Sequence, residues 1–297
     1  MVKCNTTYLK RISICVVFFL SLSFANATDP IRVIVFGAHP DDCEYTTGGI
    51  AQLYAQMGHQ VKYVSLTNGN KGHHLMKPDE LAARRYKESQ EVARVLGVEY
   101  EVMNNDDGEL MPTLENRFAV IKMICDWNAD IVITHRLNDY HPDHRNTAII
   151  VQDAAYMISV PQMVSGGKPL LKPVVFLYMP DDFQKPTVFS PDIVVDITAV
   201  ATKKMEALCA NESQFFEWMP WNESREEAIP DNIAERIQMV GGQYLELNCI
   251  TKFKKGASKW YSSKQLKNIL YVEAFEICEY GHIPGKEEIK RLFPMLP

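Results

Sequence analysis

The chain has 297 residues, of which 46% are hydrophobic and 23% charged, and its formal net charge at pH 7 is −6. This composition is typical of a globular protein with enough length for one or two domains. The acidic balance, with no long basic run, argues against nucleic acid as a partner, because phosphate binding needs a basic surface.

The first 27 residues have the layout of a secretory signal peptide. Basic residues precede an apolar stretch at 12–24, and small residues at 25–27 offer a cleavage site. The apolar stretch is shorter than the roughly 20 residues that span a bilayer. We therefore expect cleavage after Ala27, an exported protein that is periplasmic or secreted, and no stable membrane insertion after cleavage. The mature chain, residues 28–297, is predicted to form one domain.

From residue 31 onward the sequence alternates strand patterns with amphipathic helical patterns. The predicted elements are strand 31–37, helix 47–57, strand 61–66, helix 79–96, strand 100–103, helix 114–127, strand 131–134 and helix 146–157. Four successive βα units predict an α/β fold with a doubly wound, mostly parallel sheet. The pattern then loosens into an elaborated C-terminal portion. Its predicted elements are strands 174–178, 193–197 and 270–277 and a helix at 199–211.

The cysteines of the mature chain are widely spaced. They are Cys43, Cys125, Cys209, Cys249 and Cys278. Without a CxxC pair they predict neither a zinc knuckle nor a dense disulfide framework. They allow at most one or two bridges, whose pairing the sequence does not give, and we interpret them as small buried side chains.

Two polar clusters directly follow the first and fourth predicted strands. Residues 38–44 (AHPDDCE) follow the first strand, and residues 135–145 (HRLNDYHPDHR) follow the fourth. Ligands of open α/β sheets bind beyond the carboxyl ends of the strands, so both clusters are expected to share one crevice. Two histidines and one carboxylate form a site for zinc or a similar metal. Of the adjacent Asp41 and Asp42, one can bind the metal while the other acts as a general base.

The motif H-P-D-D-x-E in the first cluster, together with H-P-D-H in the second, resembles the PIG-L/LmbE family of metal-dependent N-deacetylases. The resemblance covers about residues 31–215 and implies a Rossmann-like sheet with one zinc ion. By motif, it implies that His39, Asp42 and His144 are the metal ligands. Ferrous iron or cobalt would suit the same ligand set.

The resemblance also implies three catalytic residues. Asp41 would be the general base, His141 would stabilise the oxyanion, and Asp143 would orient His141. In that assignment the metal-bound water is the nucleophile, and Asp41 takes a proton from it. His141, held protonated by Asp143, supplies a second positive charge to the tetrahedral intermediate.

Two further positions match the substrate contacts of the family. Arg85 in Arg85-x-x-Glu88 would contact the sugar or a nearby anionic group, and its alternative is an exposed salt bridge to Glu88 at helical spacing. Asp107 would bind sugar hydroxyls, and its alternative is a tight turn formed with Gly108.

The later part of the resemblance is less regular. Ser213 and Gln214 match a late signature of the family, but Asn211 stands where a histidine is common. His73 and His74, in the loop after the second strand, are interpreted as lining a polar pocket rather than holding a second metal. A sugar-stacking lip or core packing is expected for Phe215, Phe216, Trp218 and Trp221.

The sequence therefore predicts a zinc-dependent hydrolase that removes an N-acetyl group from an amino sugar or glycoconjugate, either a small molecule or an oligosaccharide. A metallohydrolase of another amide or an ester stays open, because the same groups serve both reactions. A non-catalytic sugar-binding protein is the other alternative, and homo-oligomerisation stays open as well. The sequence has no G-x-S-x-G elbow, and no G-x-G-x-x-G follows the first strand, which disfavours a serine hydrolase and a dinucleotide-binding enzyme.

Overall fold

A seven-stranded sheet forms the centre of the structure, a computed structural model that describes residues 29–164, 166–225 and 228–297. The predicted signal peptide, residues 1–27, lies outside the described residues, so that boundary stays a prediction. Within the described ranges, no helix has both the length and the apolar character needed to cross a membrane.

The elements agree closely with the predicted ones through the first half of the chain. The strands are β1 (Arg32–Gly37), β2 (Gln60–Thr67), β3 (Glu99–Asn105), β4 (Ile131–Thr134), β5 (Val175–Tyr178), β6 (Ile193–Asp196) and β7 (Val272–Ile277). The α-helices are α1 (Asp42–Gln56), α2 (Pro78–Leu96), α3 (Leu114–Trp127), α4 (Pro142–Met157), α5 (Ala201–Ala210), α6 (Met219–Asn222), α7 (Ile233–Tyr244), α8 (Ile250–Ala257), α9 (Ser263–Leu266) and α10 (Lys286–Leu292). A π-helix covers Ser213–Trp218, and 3-10 turns cover Pro161–Met163, Thr198–Val200 and Leu245–Asn248.

The strand order is β3-β2-β1-β4-β5-β7-β6. Strands β1 to β5 are parallel to one another, whereas β7 runs antiparallel to both β5 and β6. The doubly wound, mostly parallel prediction is therefore confirmed. The chain winds from β1 outward to β3 and then returns to β4 on the other side of β1. The switch point of the sheet consequently lies between β1 and β4, where such sheets bind ligands.

Both faces of the sheet are covered by helices. Val33 and Val35 of β1 are fully buried on the face that packs against α1 and α2. Ile34 and Phe36 alternate with them and are fully buried against α3 and α4. Burial of each such side chain contributes roughly 1.5–3 kcal/mol. The continuous apolar run of β1 therefore follows from its burial on two faces.

The helices that carry the two motifs begin earlier than the sequence predicts. Helix α1 begins at Asp42 rather than near Thr47, and α4 begins at Pro142, inside the second motif. The side chain of His141 caps α4 by accepting a hydrogen bond from the backbone N–H of Asp143, and Pro142 suits the first helical position. The motif carboxylates thus lie in first turns, where the helix dipole favours negative charge.

Residues of the elaborated C-terminal portion bind α1 and fix its position. Glu273 of β7 is fully buried and accepts hydrogen bonds from the backbone N–H groups of Gly49 and Ile50 at 2.8 and 2.7 Å. The ammonium group of Lys204 in α5 lies 2.8 Å from the same carboxylate. This buried ion pair connects α1, α5 and β7. Helix α1, which begins at the first motif, is therefore held against both α5 and β7.

The mature cysteines form no disulfide in the described part of the chain. Cys43, Cys125, Cys209 and Cys278 are buried, and Cys249 is partly exposed. Their interpretation as small buried side chains is confirmed for those four and wrong for Cys249.

Candidate metal centre

Three predicted ligands converge beyond the carboxyl ends of β1 and β4. His39 Nδ1 lies 3.2 Å from His144 Nε2 and 3.5 Å from Asp42 Oδ2. His144 Nε2 lies 3.4 Å from Asp42 Oδ1. Donor atoms around a tetrahedral zinc ion lie about 3.4 Å apart when the metal–ligand distances are near 2.1 Å. The two histidines face different oxygens of Asp42, so the spacing fits a divalent cation that both carboxylate oxygens approach.

The second nitrogen of each histidine is fixed by carboxylates. His39 Nε2 lies 3.1 Å from Asp107 Oδ1 and 3.3 Å from Asp143 Oδ2. His144 Nδ1 lies 3.0 Å from Asp139 Oδ1. Carboxylates that orient metal-binding histidines in this way are usual in metal sites. Sequence reasoning did not single out Asp139, because its contact depends on how the second cluster folds back toward α4.

The carboxylate of Asp42 is held in its ionised form. Its Oδ2 atom accepts hydrogen bonds from the backbone N–H groups of Ala38 and His39, each at 2.8 Å. Burial by itself would raise the pKa of Asp42, but the nearby imidazoles of His144 and His135 hold that pKa well below its usual range. Asp42 therefore suits the role of a charged ligand.

The charge balance of the centre also favours a cation. Burial disfavours the charged imidazole of His39, yet hydrogen bonds to Asp107, Asp143 and Asp42 raise its pKa well above the ordinary value. Three carboxylates thus surround one imidazole in a buried space. A divalent cation bound by His39 would supply the positive charge that these carboxylates otherwise draw from a proton.

His135 is a member of the centre that the sequence did not identify as a ligand or a support. Its ring packs on that of His144 with centroids 4.2 Å apart, and its Nε2 atom lies 3.3 Å from Asp42 Oδ2. That nitrogen also accepts a hydrogen bond from the backbone N–H of Ala38 at 3.2 Å. His135 therefore supports one face of His144, and its position directly after β4 is the signal that would have identified it.

Asp41 lies at the centre without binding to its neighbours. The residue is buried, and its Oδ1 atom has no hydrogen-bond partner in the described part of the chain. Burial, with a contribution from the charge of Asp42, raises the pKa of Asp41 to about 6, although Arg85 acts to lower it. A free carboxylate with a raised pKa has the properties of a general base.

The predicted contact between the Asp143 carboxylate and His141 is wrong. The carboxylate instead accepts hydrogen bonds from the backbone N–H groups of Gly108 at 2.7 Å and Leu110 at 3.2 Å, and it approaches His39. His141 Nδ1 accepts the backbone N–H of Asp143 at 3.2 Å. Since Nδ1 is an acceptor, His141 is a neutral imidazole with its proton on Nε2. Burial and the nearby His39 lower the pKa of His141, in agreement with that form.

Arg85 enters the crevice from α2 and is only 2% exposed. Its guanidinium donates to the backbone oxygen of Gly72 at 3.1 Å and to the side-chain oxygen of Gln214. Glu88 does not pair with it, but accepts from the backbone N–H and hydroxyl of Ser213 at 3.0 and 2.5 Å. The alternative of an exposed Arg85–Glu88 salt bridge is therefore wrong.

Asp107 forms the predicted turn with Gly108 and also contacts the centre, while its predicted contact with sugar hydroxyls stays a prediction. Gly108 has a φ of +81°, which fits the turn favoured by the Asp-Gly pair. The Asp107 side chain is buried and contacts His39 at the same time. A Cβ atom on Gly72 would lie 3.3 Å from Asp107 Oδ2 and 3.2 Å from Arg85 Nη2, so glycine lets this loop approach both side chains. Both predicted substrate contacts therefore lie on one wall of the crevice.

The late aromatic residues divide into two pairs. Phe215 and Phe216 are 1% and 3% exposed and pack with α5 and α7, so core packing is confirmed for them. Trp218 and Trp221 stack on each other outside that cluster. Asn211 is buried and donates to Glu44 at 2.5 Å, so it contacts the interior rather than the crevice. Burial raises the pKa of Glu44 to about 8.

Comparisons with known proteins point to one family. Residues 34–155 match the family model described as PIG-L, GlcNAc-PI de-N-acetylase. The diacetylchitobiose deacetylase of Thermococcus kodakarensis is 30% identical over 207 residues, which cover 65% of this chain and 74% of that protein. The solved N,N'-diacetylchitobiose deacetylase of Pyrococcus horikoshii, in complex with an inhibitor, is 25% identical with a TM-score of 0.65, covering 88% of this chain and 89% of that one.

The fold also occurs with another chemistry. The 4-carboxy-2-hydroxymuconate hydratase of Pseudomonas putida has a TM-score of 0.66 at 18% identity, covering 86% of this chain and 99% of that one. At that identity the likeness shows the fold alone, and the reaction has to be argued from the site. The two motifs, the family match and the Thermococcus relative agree, and the chain therefore belongs to the PIG-L family of de-N-acetylases, metal-dependent hydrolases of amide bonds.

Proposed function

We propose that this protein is an exported, zinc-dependent deacetylase that removes the N-acetyl group of an amino sugar or glycoconjugate. The observation that carries the proposal is the convergence of His39, Asp42 and His144 within 3.2–3.5 Å of one another. Asp41 lies beside them with a free carboxylate oxygen. This set combines a cation site with a base, and the two together can hydrolyse an amide.

The proposed cation is zinc, held by His39 Nδ1, His144 Nε2 and the carboxylate of Asp42. Two imidazoles and one carboxylate suit zinc and leave a position for substrate or water, and ferrous iron or cobalt would suit the same donors. When bound, the cation polarises the amide carbonyl and lowers the pKa of water.

The chain's own residues supply the proton transfers. Asp41 accepts a proton from the attacking water, whose oxygen bonds to the acyl carbon. His141, whose proton is on Nε2, donates a hydrogen bond to the carbonyl oxygen as negative charge develops there. Asp41 then passes its proton to the nitrogen as the carbon–nitrogen bond breaks. The products are acetate and the free amine.

An amino sugar is the proposed substrate because of the polar wall beside the centre. Arg85 and Asp107 both reach the loop at Gly72, next to the proposed cation site. A charged donor and a charged acceptor at close range suit the hydroxyl groups of a sugar. The relatives in Thermococcus and Pyrococcus, both described as deacetylases of diacetylchitobiose, point to the same class.

Export is part of the proposal and rests on residues 1–27. We expect the mature protein, recovered from the periplasm or the medium of its host, to begin at Thr28. N-terminal sequencing of that material is the measurement. A mature protein that keeps residues 1–27 would contradict export with cleavage.

Replacing the proposed base separates catalysis from metal binding. We expect Asp41→Asn to lower kcat for acetate release from di-N-acetylchitobiose about 10²–10⁴-fold, because the variant cannot accept a proton from water. Its zinc content should stay that of the wild type. Asp106→Asn is the control, since Asp106 lies on the neighbouring loop and contacts Lys71 instead of the centre.

The substrate panel tests the alternatives directly. Acetate is measured from N-acetylglucosamine, di-N-acetylchitobiose, an N-acetyl amino acid and an aryl acetate ester. Wild-type activity on the ester or the amino acid alone would favour the other metallohydrolase reactions. Unchanged kcat in Asp41→Asn would remove Asp41 from its role as base.

The carboxylate behind His144 offers a second test that does not depend on turnover. We expect Asp139→Asn to weaken zinc binding about 10–100-fold, because a neutral amide oxygen is a weaker acceptor for His144 Nδ1 than the carboxylate that orients its ring. Competition with a coloured zinc chelator measures the affinity. Asp153→Asn is the matched control, since Asp153 lies on α4, the helix that carries His144, and pairs with Arg117. Equal affinities for the wild type and Asp139→Asn would contradict the donor arrangement.

A further inference from the structure

Four aromatic rings stack in series beside the crevice. The rings of His73 and His74 have centroids 4.7 Å apart at an angle of 18°. His74 and Trp221 have centroids 4.7 Å apart at 4°, and Trp221 and Trp218 have centroids 5.3 Å apart at 26°. We call these four residues the ring stack. Two chain segments build it, the loop after β2 and the segment that contains the π-helix and α6.

The two ends of the ring stack differ. At one end, the side chain of His73 is 3% exposed, and its Nε2 atom lies 2.9 Å from Glu217 Oε2. At the other end, Trp218 is partly exposed and belongs to none of the hydrophobic clusters in the described part of the chain. Within those same residues Trp221 is its only ring contact, and Trp221 is itself 41% exposed. The tryptophan end is therefore the end open to a ligand.

The tryptophan end also lies close to the proposed substrate contacts. Gln214 and Trp218 are four residues apart in the π-helix, whose turn contains between four and five residues, so they lie on the same side of it. Gln214 accepts from the guanidinium of Arg85 inside the crevice. Trp218 is thus one helical turn from a residue that contacts Arg85.

The loop that carries the other two rings starts at the same place. Gly72, directly before His73, accepts a hydrogen bond from Arg85, and a Cβ atom at its position would lie 3.3 Å from Asp107 Oδ2. Asp107 in turn lies 3.1 Å from His39. Neighbouring residues of one wall of the crevice therefore connect the proposed cation site to the ring stack.

The support of the ring stack does not come from the tryptophans. Glu217 accepts hydrogen bonds from the guanidinium of Arg84 at 2.8 and 2.6 Å as well as from His73. Glu88 holds Ser213 at the start of the π-helix. These ionic contacts already fasten the π-helix to α2 and to the loop. If the ring stack only held these segments together, the exposed indoles of Trp218 and Trp221 would have no role.

A small open cavity adjoins the ring stack. Its volume is about 290 Å³, and its lining includes His74, Trp221, Leu75 and Ile229. This volume is near the lower end of the range for small-molecule sites. Exposed apolar surface bordered by polar groups at the mouth of a crevice is typical of ligand-binding grooves.

We propose that Trp218, supported by Trp221 and His74, is a stacking platform for a second sugar unit of the substrate. The apolar C–H face of a pyranose packs on the electron-rich face of an indole. The enzyme then acts on disaccharides or longer N-acetylated oligosaccharides in preference to monosaccharides. This inference rests on the proposed function, because the first sugar unit is the one whose acetyl group lies at the cation.

The test compares kcat/KM for two substrates. For the wild type, we expect kcat/KM to be higher for di-N-acetylchitobiose than for N-acetylglucosamine. We expect Trp218→Ala to lower the ratio of these two values about tenfold, and Trp218→Phe to keep most of it. Tyr280→Ala is the control, because Tyr280 is 66% exposed and lies near the amino end of β5. The metal centre lies beyond the opposite, carboxyl ends of the strands. Zinc content and the midpoint of thermal unfolding are measured for every variant.

A binding measurement keeps this inference separate from the proposed function. Calorimetric titration of the Asp41→Asn protein with di-N-acetylchitobiose gives an affinity without turnover, and adding Trp218→Ala should weaken it about tenfold. An unchanged affinity, or an unchanged ratio of kcat/KM values, would overturn the platform while leaving deacetylation in place. A failure of the wild type to release acetate from any N-acetylated sugar would instead overturn the proposed function.

Discussion

The parallel pairing of β1 with β4 is the constraint on which the catalytic centre depends. It sends residues 38–44 and 135–145 out at the same edge of the sheet, so His39 and His144 approach to 3.2 Å across 105 positions of sequence. At this edge the adjacent carboxylates of Asp41 and Asp42 also lie in different surroundings. Asp42 is turned toward backbone N–H groups and imidazoles and stays ionised, whereas burial without a hydrogen-bond partner raises the pKa of Asp41 to about 6. Different surroundings thus give neighbouring identical residues different chemistry.

Most of the sheet could be predicted from the sequence because its signals are local. The continuous apolar run of β1 and the four βα units determine a doubly wound sheet with buried strands. The starts of α1 and α4 were not predicted, because the side chain of His141 caps α4 only once the loop is folded. The π-helix could not be predicted from the sequence either, because Ser213 at its start is held by Glu88 of another helix.

The predicted ligands His39, Asp42 and His144 do lie together, because the motifs place them directly after adjacent strands. The supports behind them could not be read in the same way. Asp143 was expected to face His141, but its carboxylate binds backbone N–H groups of the loop after β3. That loop is distant in sequence, and its approach follows from the position of β3 in the sheet. Local patterns therefore predicted which residues carry the chemistry, but not how they are oriented.

Several neighbouring side chains offer donor atoms for the proposed cation. Within the described part of the chain, the side chains form three overlapping sets, which are His39 with His141 and His144, His39 with Asp107, His141 and Asp143, and Asp42 with His135 and His144. A crystal structure of the zinc-loaded mature protein, with anomalous diffraction at the zinc edge, distinguishes them. The expectation is one zinc ion bonded to His39 Nδ1, His144 Nε2 and the Asp42 carboxylate at about 2.0–2.2 Å. Zinc bound instead through Asp107 and Asp143, with Asp42 outside bonding distance, would contradict it.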